Sequence, residues 1–454
     1  MGEDASLTLN AFAKMSKSAP LVQSARSAAP PSSARRRLRI LVVHETLGMG
    51  HTRNARLIVD ALRARPDVEV LLEVGSELFD TADATLAIRA WNTLVRWDML
   101  RAADVMVNWF GRMFVLPVSE AIATPMLLRR LAELDVDILV GTSDLWNRAL
   151  GTHARRMGLP FFILPCEMNV FVDQMHPAAT HLCMFEGTAR AIRSFDVEAA
   201  YFAAPLEQSS SVSERIAYVL RFWLDHVVRR SPLLAGADVD HPVRNDSRCE
   251  VIGPIASRAN FERTSRLDAR RALDLPLDKH IVVVVSGSLG GPLVEGAALE
   301  LVHSLSDRFH VVAICGNGAE TYERLSRERT MPGRASLEVH GFTKRLPAFL
   351  AAADVFVARP SAGTFVEGLL ARTPMVVIGH ITSNDAGQAA LLEANDIGRV
   401  CPNLRALPGI VESIMARHHT ITQTLESYVE GISVRSFDGQ VQLLRERITG
   451  TPDS

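Results

Sequence analysis

Three glycine-rich segments and one carboxylate carry most of the chemistry this sequence offers. In Gly48-Met-Gly-His51 two glycines permit a sharp turn and leave room for a ligand, and a histidine follows at the start of a helical pattern. An imidazole titrates near neutrality, so His51 is the candidate general base, with Gly48 and Gly50 shaping an acceptor loop around it. In Ser286-Gly-Ser-Leu-Gly-Gly291 the small residues Ser286, Gly287, Ser288 and Gly290 suit a diphosphate gripped by backbone N–H groups. No Gly-Lys-Ser/Thr closes that loop, and it lacks G-x-G-x-x-G spacing, which sets aside a P-loop nucleotidase and a nicotinamide cofactor. The third run, Arg359-Pro-Ser-Ala-Gly-Thr-Phe-Val-Glu-Gly-Leu369, is the most specific. Its small residues Ser361, Ala362 and Gly363 allow close approach, and Thr364 can donate to phosphate where a helix begins. Glu367 falls one turn inside, where a carboxylate can accept both hydroxyls of a ribose; stabilising the helix N-terminus is its plainer use. Asn384-Asp-Ala-Gly-Gln388 adds an amide, Gln388, suited to sugar hydroxyls.

Other polar groups are less specific. Asp144, in Thr142-Ser-Asp-Leu-Trp146, is read as an acceptor-side residue, an alternative base or a helix cap. Asp135-Val-Asp137 has the form of a metal-chelating pair, yet it directly precedes a buried run and reads as a polar strand entrance. His176 and His181 lack a Cys or carboxylate partner at ligand spacing and are expected at the surface or beside the acceptor. The five cysteines show no C-x-x-C, so no metal site is expected, and their odd number suits a reducing compartment.

These loops need strands and helices to hold them. Arg39–His44 is a β-branched run, followed by a glycine turn, a helical pattern over Asn54–Leu62 and a second extended run at Val68–Val74, which together make a βαβ unit. Buried strands are also expected at 137–141 and 160–164. The pattern restarts with strands at 281–285, 310–315, 337–340, 355–358 and 375–378, separated by helices that include 344–353 and 363–370. We therefore expect two Rossmann-like parallel-sheet α/β domains, 38–250 and 251–454, behind a Ser/Ala/Pro-rich leader over 1–37. Ligands of such sheets lie beyond the carboxyl ends of the strands, so the glycine loops should face an interdomain cleft.

Length and charge agree with this division. At ~100–200 residues per domain, 454 residues suggest two domains. A net charge of −2 provides no polybasic surface for nucleic acid. Apolar runs such as Ile281–Val285 fall far short of the ~20 residues a membrane helix requires, which leaves only a peripheral membrane contact open. Two segments bear on such contact. Trp91–Leu116 mixes aromatics and methionines with Arg96, Arg101 and Arg112, and suits a lipid interface or a core equally. A later helix carries the apolar stripe Ile216, Val219, Leu220, Trp223, Leu224 and Val227 beside Arg215, Arg221, Arg229 and Arg230; we expect it to pack on its own domain.

The run from Gly341-Phe342 through Arg359–Leu369 to Gln388 resembles the donor-binding half of glycosyltransferase family 28. Gly48-Met-Gly-His51, with Ala55 and Ala61-Leu62, is similar to that family's N-terminal glycine loop and helix. The resemblance implies a GT-B architecture and an inverting, metal-independent transfer from a UDP-sugar to a hydrophobic or lipid-linked acceptor. It implies no cofactor beyond that donor, and a cytoplasmic enzyme peripheral on the inner face of the cell membrane. On the family pattern Glu367 holds the donor ribose, Ser288 and Thr364 the diphosphate, Phe342 the base and Gln388 the sugar, with His51 near the acceptor. Two departures matter. Asp385-Ala-Gly-Gln-Ala389 replaces the family's Pro-Gly-Gln-Glu, which leaves the sugar unread. Pro165-Cys-Glu167 stands where relatives often carry Thr-Asp, making Glu167 the alternative base. A UDP-sugar hydrolase or epimerase, or a non-catalytic nucleotide-sugar-binding partner, would share the same frame.

Overall fold

The computed structural model describes residues 36–46, 50–80, 82–143, 145–195, 197, 206–237, 248–285, 287, 290–432 and 434–450. The expected leader up to residue 35, and the candidates Gly48, Asp144, Ser286 and Ser288, lie outside them. Fourteen strands occur among the described residues. In chain order they are β1 Leu38–His44, β2 Val68–Val74, β3 Ile138–Gly141, β4 Phe161–Ile163, β5 Val170–Phe171, β6 Thr180–Cys183, β7 Leu234–Ala235 and β8 Cys249–Val251. The second half adds β9 His280–Val285, β10 Phe309–Ile314, β11 Ser336–His340, β12 Val355–Ala358, β13 Met375–Val377 and β14 Gly398–Val400. They form two six-stranded parallel sheets, ordered β2-β1-β3-β4-β6-β8 and β11-β10-β9-β12-β13-β14, plus the antiparallel pair β5-β7. Both sheets belong to the unit Leu38–Ser454.

The central strands follow from composition. Ile40 to Val43 and Ile281 to Val285 are buried throughout, because helices cover both faces of each sheet, and a continuous Val/Ile/Leu run satisfies both faces at once. The Asp135-Val-Asp137 pair is indeed a strand entrance: Asp137 accepts the Arg39 backbone N–H at 2.8 Å, and Asp135 pairs with the Arg39 guanidinium. The last helix, Phe437–Thr449, returns to the first sheet's side. Arg445 Nε there donates to Ala61 O at 3.0 Å, and Arg65 donates to Thr449 Oγ1.

Two expectations are corrected. On the helix Val212–Trp223 and the wide turn Leu224–Val228 that continues it, the stripe residues Ile216, Leu220, Leu224 and Val227 face outward, while Tyr218, Phe222 and His226 form the buried row. The Tyr218 hydroxyl donates to the buried Glu120 carboxylate, so turning the aromatic row inward both buries more surface and satisfies a charge. Of the two readings left open for Trp91–Leu116, exposure is the one seen for Met106, Phe110 and Phe114, on a helix Asp104–Val115 with wide i→i+5 turns. His176 and His181 are buried rather than superficial; the His176 N–H donates to His181 Nε2, and burial holds the His176 imidazole well below its usual range.

Candidate active-site cleft

A cavity of about 700 Å³ opens between the two sheets at the carboxyl ends of their strands. Its second-half wall includes Gly287, Phe342, Arg359, Ser361 to Thr364, and Glu367. The first half contributes Gly50, His51, Arg53 and Glu167, then an apolar wall of Ile88, Trp91, Val95, Val115, Leu116 and Leu127. So candidates from three separate segments converge on one space.

Following β12, the helix Ala362–Ala371 starts at Ser361, whose hydroxyl does not cap it but pairs with Thr364 Oγ1 at 2.8 Å. The first-turn N–H groups are thus left without a side-chain cap and point, with the positive end of the helix dipole, at the cavity. Glu367 is one turn inside. Burial pushes its carboxyl above the usual range, an effect opposed by Arg53, whose Nη1 donates to Glu367 Oε1 at 2.6 Å. Gly363 leaves room for this contact: a Cβ there would lie 2.8 Å from Arg53 Nη2, and the guanidinium would have to shift. In the other loop Gly287 lines the cavity. Gly290, at φ +66°, instead packs so tightly under the next turn that a Cβ would meet Cys315 O at 2.1 Å. Phe342 is exposed at the rim. Gln388 is fully buried off the cavity wall and neither amide atom makes a hydrogen bond; Asn384 takes the place on the wall, its Oδ1 likewise without a hydrogen bond.

His51 occupies the first turn of the helix Gly50–Arg63 and is buried. Its Nδ1 donates to Thr142 O at 2.7 Å, which fixes the tautomer and presents the Nε2 lone pair 3.8 Å from Glu167 Oε1. A base oriented by a backbone carbonyl and faced by a carboxylate can accept a proton and have the resulting charge balanced. Cys166 joins them: its Sγ accepts from Asn54 Nδ2 at 3.3 Å, and donor atoms of His51, Cys166 and Glu167 all fall within 4.8 Å of one another. Such a set could hold a zinc-like cation once the thiol is deprotonated. The scattered cysteine spacing gave no sign of it.

A second contact joins the halves at the loop between β13 and the helix Ala386–Ala394. Asp104 accepts from Ser383 N and Oγ, each at 3.0 Å, while Trp109 Nε1 donates to Ser383 Oγ at 2.8 Å and Asn169 Nδ2 to Ser383 O at 3.0 Å. Asp385 in this loop is pushed up to about 6, by burial first and by Asp104 as well, against the pull of Arg359 and Thr382. A folded-state value above the ordinary 3.8 means that the native protein binds the extra proton, so stability falls as pH rises through that interval. Replacing Asp385 with Asn should therefore leave the melting temperature nearly unchanged below pH 4, raise it progressively between about pH 4 and 6, and give a constant gain at higher pH. The full gain is about 3 kcal/mol. A gain independent of pH would contradict the burial argument.

Beyond the apolar wall the cavity ends in two buried ion pairs, Arg148 Nε–Glu120 at 3.0 Å and Arg112 Nε–Asp173 at 2.9 Å, with the Arg112 guanidinium 4.1 Å over the Phe171 ring. None of these residues, nor Arg53, was among the expected site residues. Arg53 was in principle findable, since Gly50, Arg53 and Leu57 share one helical face and all three line the cleft.

Residues 281–395 match the family model described as Glycosyltransferase family 28 C-terminal domain. The chloroplastic monogalactosyldiacylglycerol synthase 1 of Arabidopsis thaliana is 23% identical over 173 residues, 36% of this chain and 32% of that protein. A UDP-N-acetylglucosamine–N-acetylmuramyl-(pentapeptide) pyrophosphoryl-undecaprenol N-acetylglucosamine transferase of Bacillus cereus is 28% identical over 149 residues, 33% of this chain and 40% of its own length. The matched stretches thus span less than half of these relatives. Among solved structures, MurG of Acinetobacter baumannii aligns with a TM-score of 0.50 at 13% identity, over 90% of this chain and 99% of that one. The calicheamicin glycosyltransferase CalG4 gives 0.53 at 14% identity, over 92% and 98%. Likeness at such identities speaks for the fold alone. Residues 281–395 are accordingly similar to a glycosyltransferase family 28 C-terminal domain, and the two sheets of the chain together have the GT-B architecture.

Proposed function

We propose that this protein is an inverting glycosyltransferase that moves a hexosyl group from a UDP-sugar to a hydrophobic or lipid-linked acceptor. The observation that carries this reading is Glu367, a buried carboxylate beside an uncapped helix start, facing His51 and Glu167 across a cavity with an apolar wall. In this reading Glu367 accepts the ribose hydroxyls, and the amides of residues 361–364 with Gly287 stabilise the departing diphosphate. Phe342 lies beside the base, and Asn384, which stands on the wall where Gln388 was expected, serves the sugar. His51 Nε2 takes the acceptor's proton as its oxygen attacks the anomeric carbon opposite the leaving group, and Glu167 balances the imidazolium. The diphosphate's charge is met by the helix-start amides and the glycine loop, so the step needs no metal.

Two features favour a lipidic acceptor. The apolar wall leads from His51 towards the helices Asp104–Val115 and Leu116–Ala132, whose outer faces expose Met106, Phe110, Ile122 and Met126. The outward stripe Ile216, Leu220 and Leu224 lies on the helix packed against them, with Arg221, Arg229 and Arg230 exposed nearby. A basic-flanked apolar face of this kind suits the boundary of an anionic bilayer. No helix among the described residues is long and apolar enough to cross a membrane. The Bacillus relative's name likewise contains a UDP-sugar and a polyprenyl pyrophosphate. We therefore place the protein on the cytoplasmic membrane face.

The test is a panel of UDP-sugars incubated with the full-length protein, with and without vesicles of mixed anionic membrane lipid. Sugar should enter the lipid fraction, and UDP should appear only when vesicles are present. Equal UDP release without vesicles would make the protein a hydrolase. Absence of any turnover or UDP binding would leave no transferase.

A further inference from the structure

Arg53 has no part in the chemistry above, yet it holds the centre of the cleft. Its guanidinium crosses from the helix Gly50–Arg63 to the opposite half, where Nη1 donates to Glu367 Oε1 at 2.6 Å. It lies against Gly363, with Nη2, Cζ and Nη1 all within 3.1 Å of where a Cβ would be, and its Nε makes no hydrogen bond. This is an odd seat for a cation. The start of the helix Ala362–Ala371 carries a partial positive charge, which favours an anion at that place. Among the described residues the Glu367 carboxylate offsets the mismatch, and that carboxylate is itself buried against its preference for water.

A ribose whose two hydroxyls engage both oxygens of Glu367 contends for Oε1, which Arg53 now occupies, so ribose and guanidinium compete. A diphosphate at the helix start, by contrast, would place its negative charge beside that same guanidinium. We propose that Arg53 is a donor-binding residue that exchanges partners: in the empty cleft it neutralises Glu367, and on arrival of a nucleoside diphosphate it passes from the carboxylate to the diphosphate, releasing Glu367 to the ribose. This rests on the donor reading of Glu367 and adds a specificity to it. The phosphate is what dislodges the arginine, so a nucleoside without phosphate is disfavoured by a charged pair that it cannot replace.

The exchange predicts effects of opposite sign from one substitution. Calorimetric titration with uridine and with UDP is made on the wild type, Arg53→Ala and Arg53→Lys. Arg53→Ala should bind UDP about 10–100-fold more weakly, the range for losing a charge-assisted hydrogen bond, yet bind uridine at least as tightly as the wild type. Arg53→Lys, which keeps the charge but not the fork, should recover most of the UDP affinity. UDP binding by Arg53→Ala equal to or tighter than wild type would reduce Arg53 to a plug and overturn the exchange. Equal losses for uridine and UDP would mean a merely structural role and overturn it too. Failure of the donor reading looks different: Glu367→Ala would then leave both affinities where they were.

Discussion

Replacement of His51 by alanine is expected to lower sugar transfer by ~10²–10⁴-fold, the usual worth of a positioned general base, while UDP affinity stays within about twofold. The separation follows from geometry. His51 reaches Thr142 and Glu167, both in the first half, whereas Glu367 and the helix Ala362–Ala371 belong to the second. Removing the imidazole therefore leaves the nucleotide's seat intact. Steady-state transfer to vesicle lipid, measured beside calorimetric UDP binding, decides the matter. Transfer unchanged in His51→Ala would move the base to Glu167; loss of both activities together would assign His51 to binding. Glu167→Gln keeps the shape but removes the charge facing Nε2, so its transfer should fall less than that of His51→Ala and its loss should be confined to kcat.

Glu367→Ala should cost the opposite property. Two hydroxyl hydrogen bonds to one carboxylate disappear, each worth ~1.5 kcal/mol or more, so UDP affinity falls about 100-fold or beyond. Burial raises the Glu367 carboxyl, and only its ionised form accepts both hydroxyls, so wild-type affinity should decline as pH is lowered into the range where that carboxyl protonates. Glu367→Gln, still an acceptor but without the charge, should lie between the two and lose this pH dependence. Affinity flat with pH in the wild type, or retained in Glu367→Ala, would remove ribose binding from this residue.

Much of the scaffold was legible because parallel strands buried on both faces must be unbroken apolar runs. Val355–Ala358 appears as read, and the helix over Gly363 differs from expectation by one residue at each end. Short strands such as Gly398–Val400 and Cys249–Val251 leave too little periodicity to notice. The site was legible where chemistry depends on residue type at fixed spacing, hence His51, Ser361, Gly363, Thr364 and Glu367 share one cavity. Residues that act across the cleft, such as Arg53 on Glu367 and Asp104 on Ser383, are separated by 314 and 279 positions, and nothing local marks them. The outward stripe of Val212–Trp223 defeated the periodicity argument for another reason. Both faces of that helix are apolar, and the choice between them was made by Glu120, nearly a hundred residues away, needing the Tyr218 hydroxyl.

The return of the helix Phe437–Thr449 to the first sheet has a mechanical consequence. The polypeptide passes between the halves twice, once after Val251 and again ahead of Phe437, and Gln440 Nε2 donates to Ile252 O at 3.2 Å where the two passages meet. Paired crossings act as a door's two hinges rather than as a single tether: they allow rotation about the line through them and resist twist or sideways slip. Opening for substrate entry is then confined to one arc, and each closure brings Arg53 back to the same spot on the opposing wall.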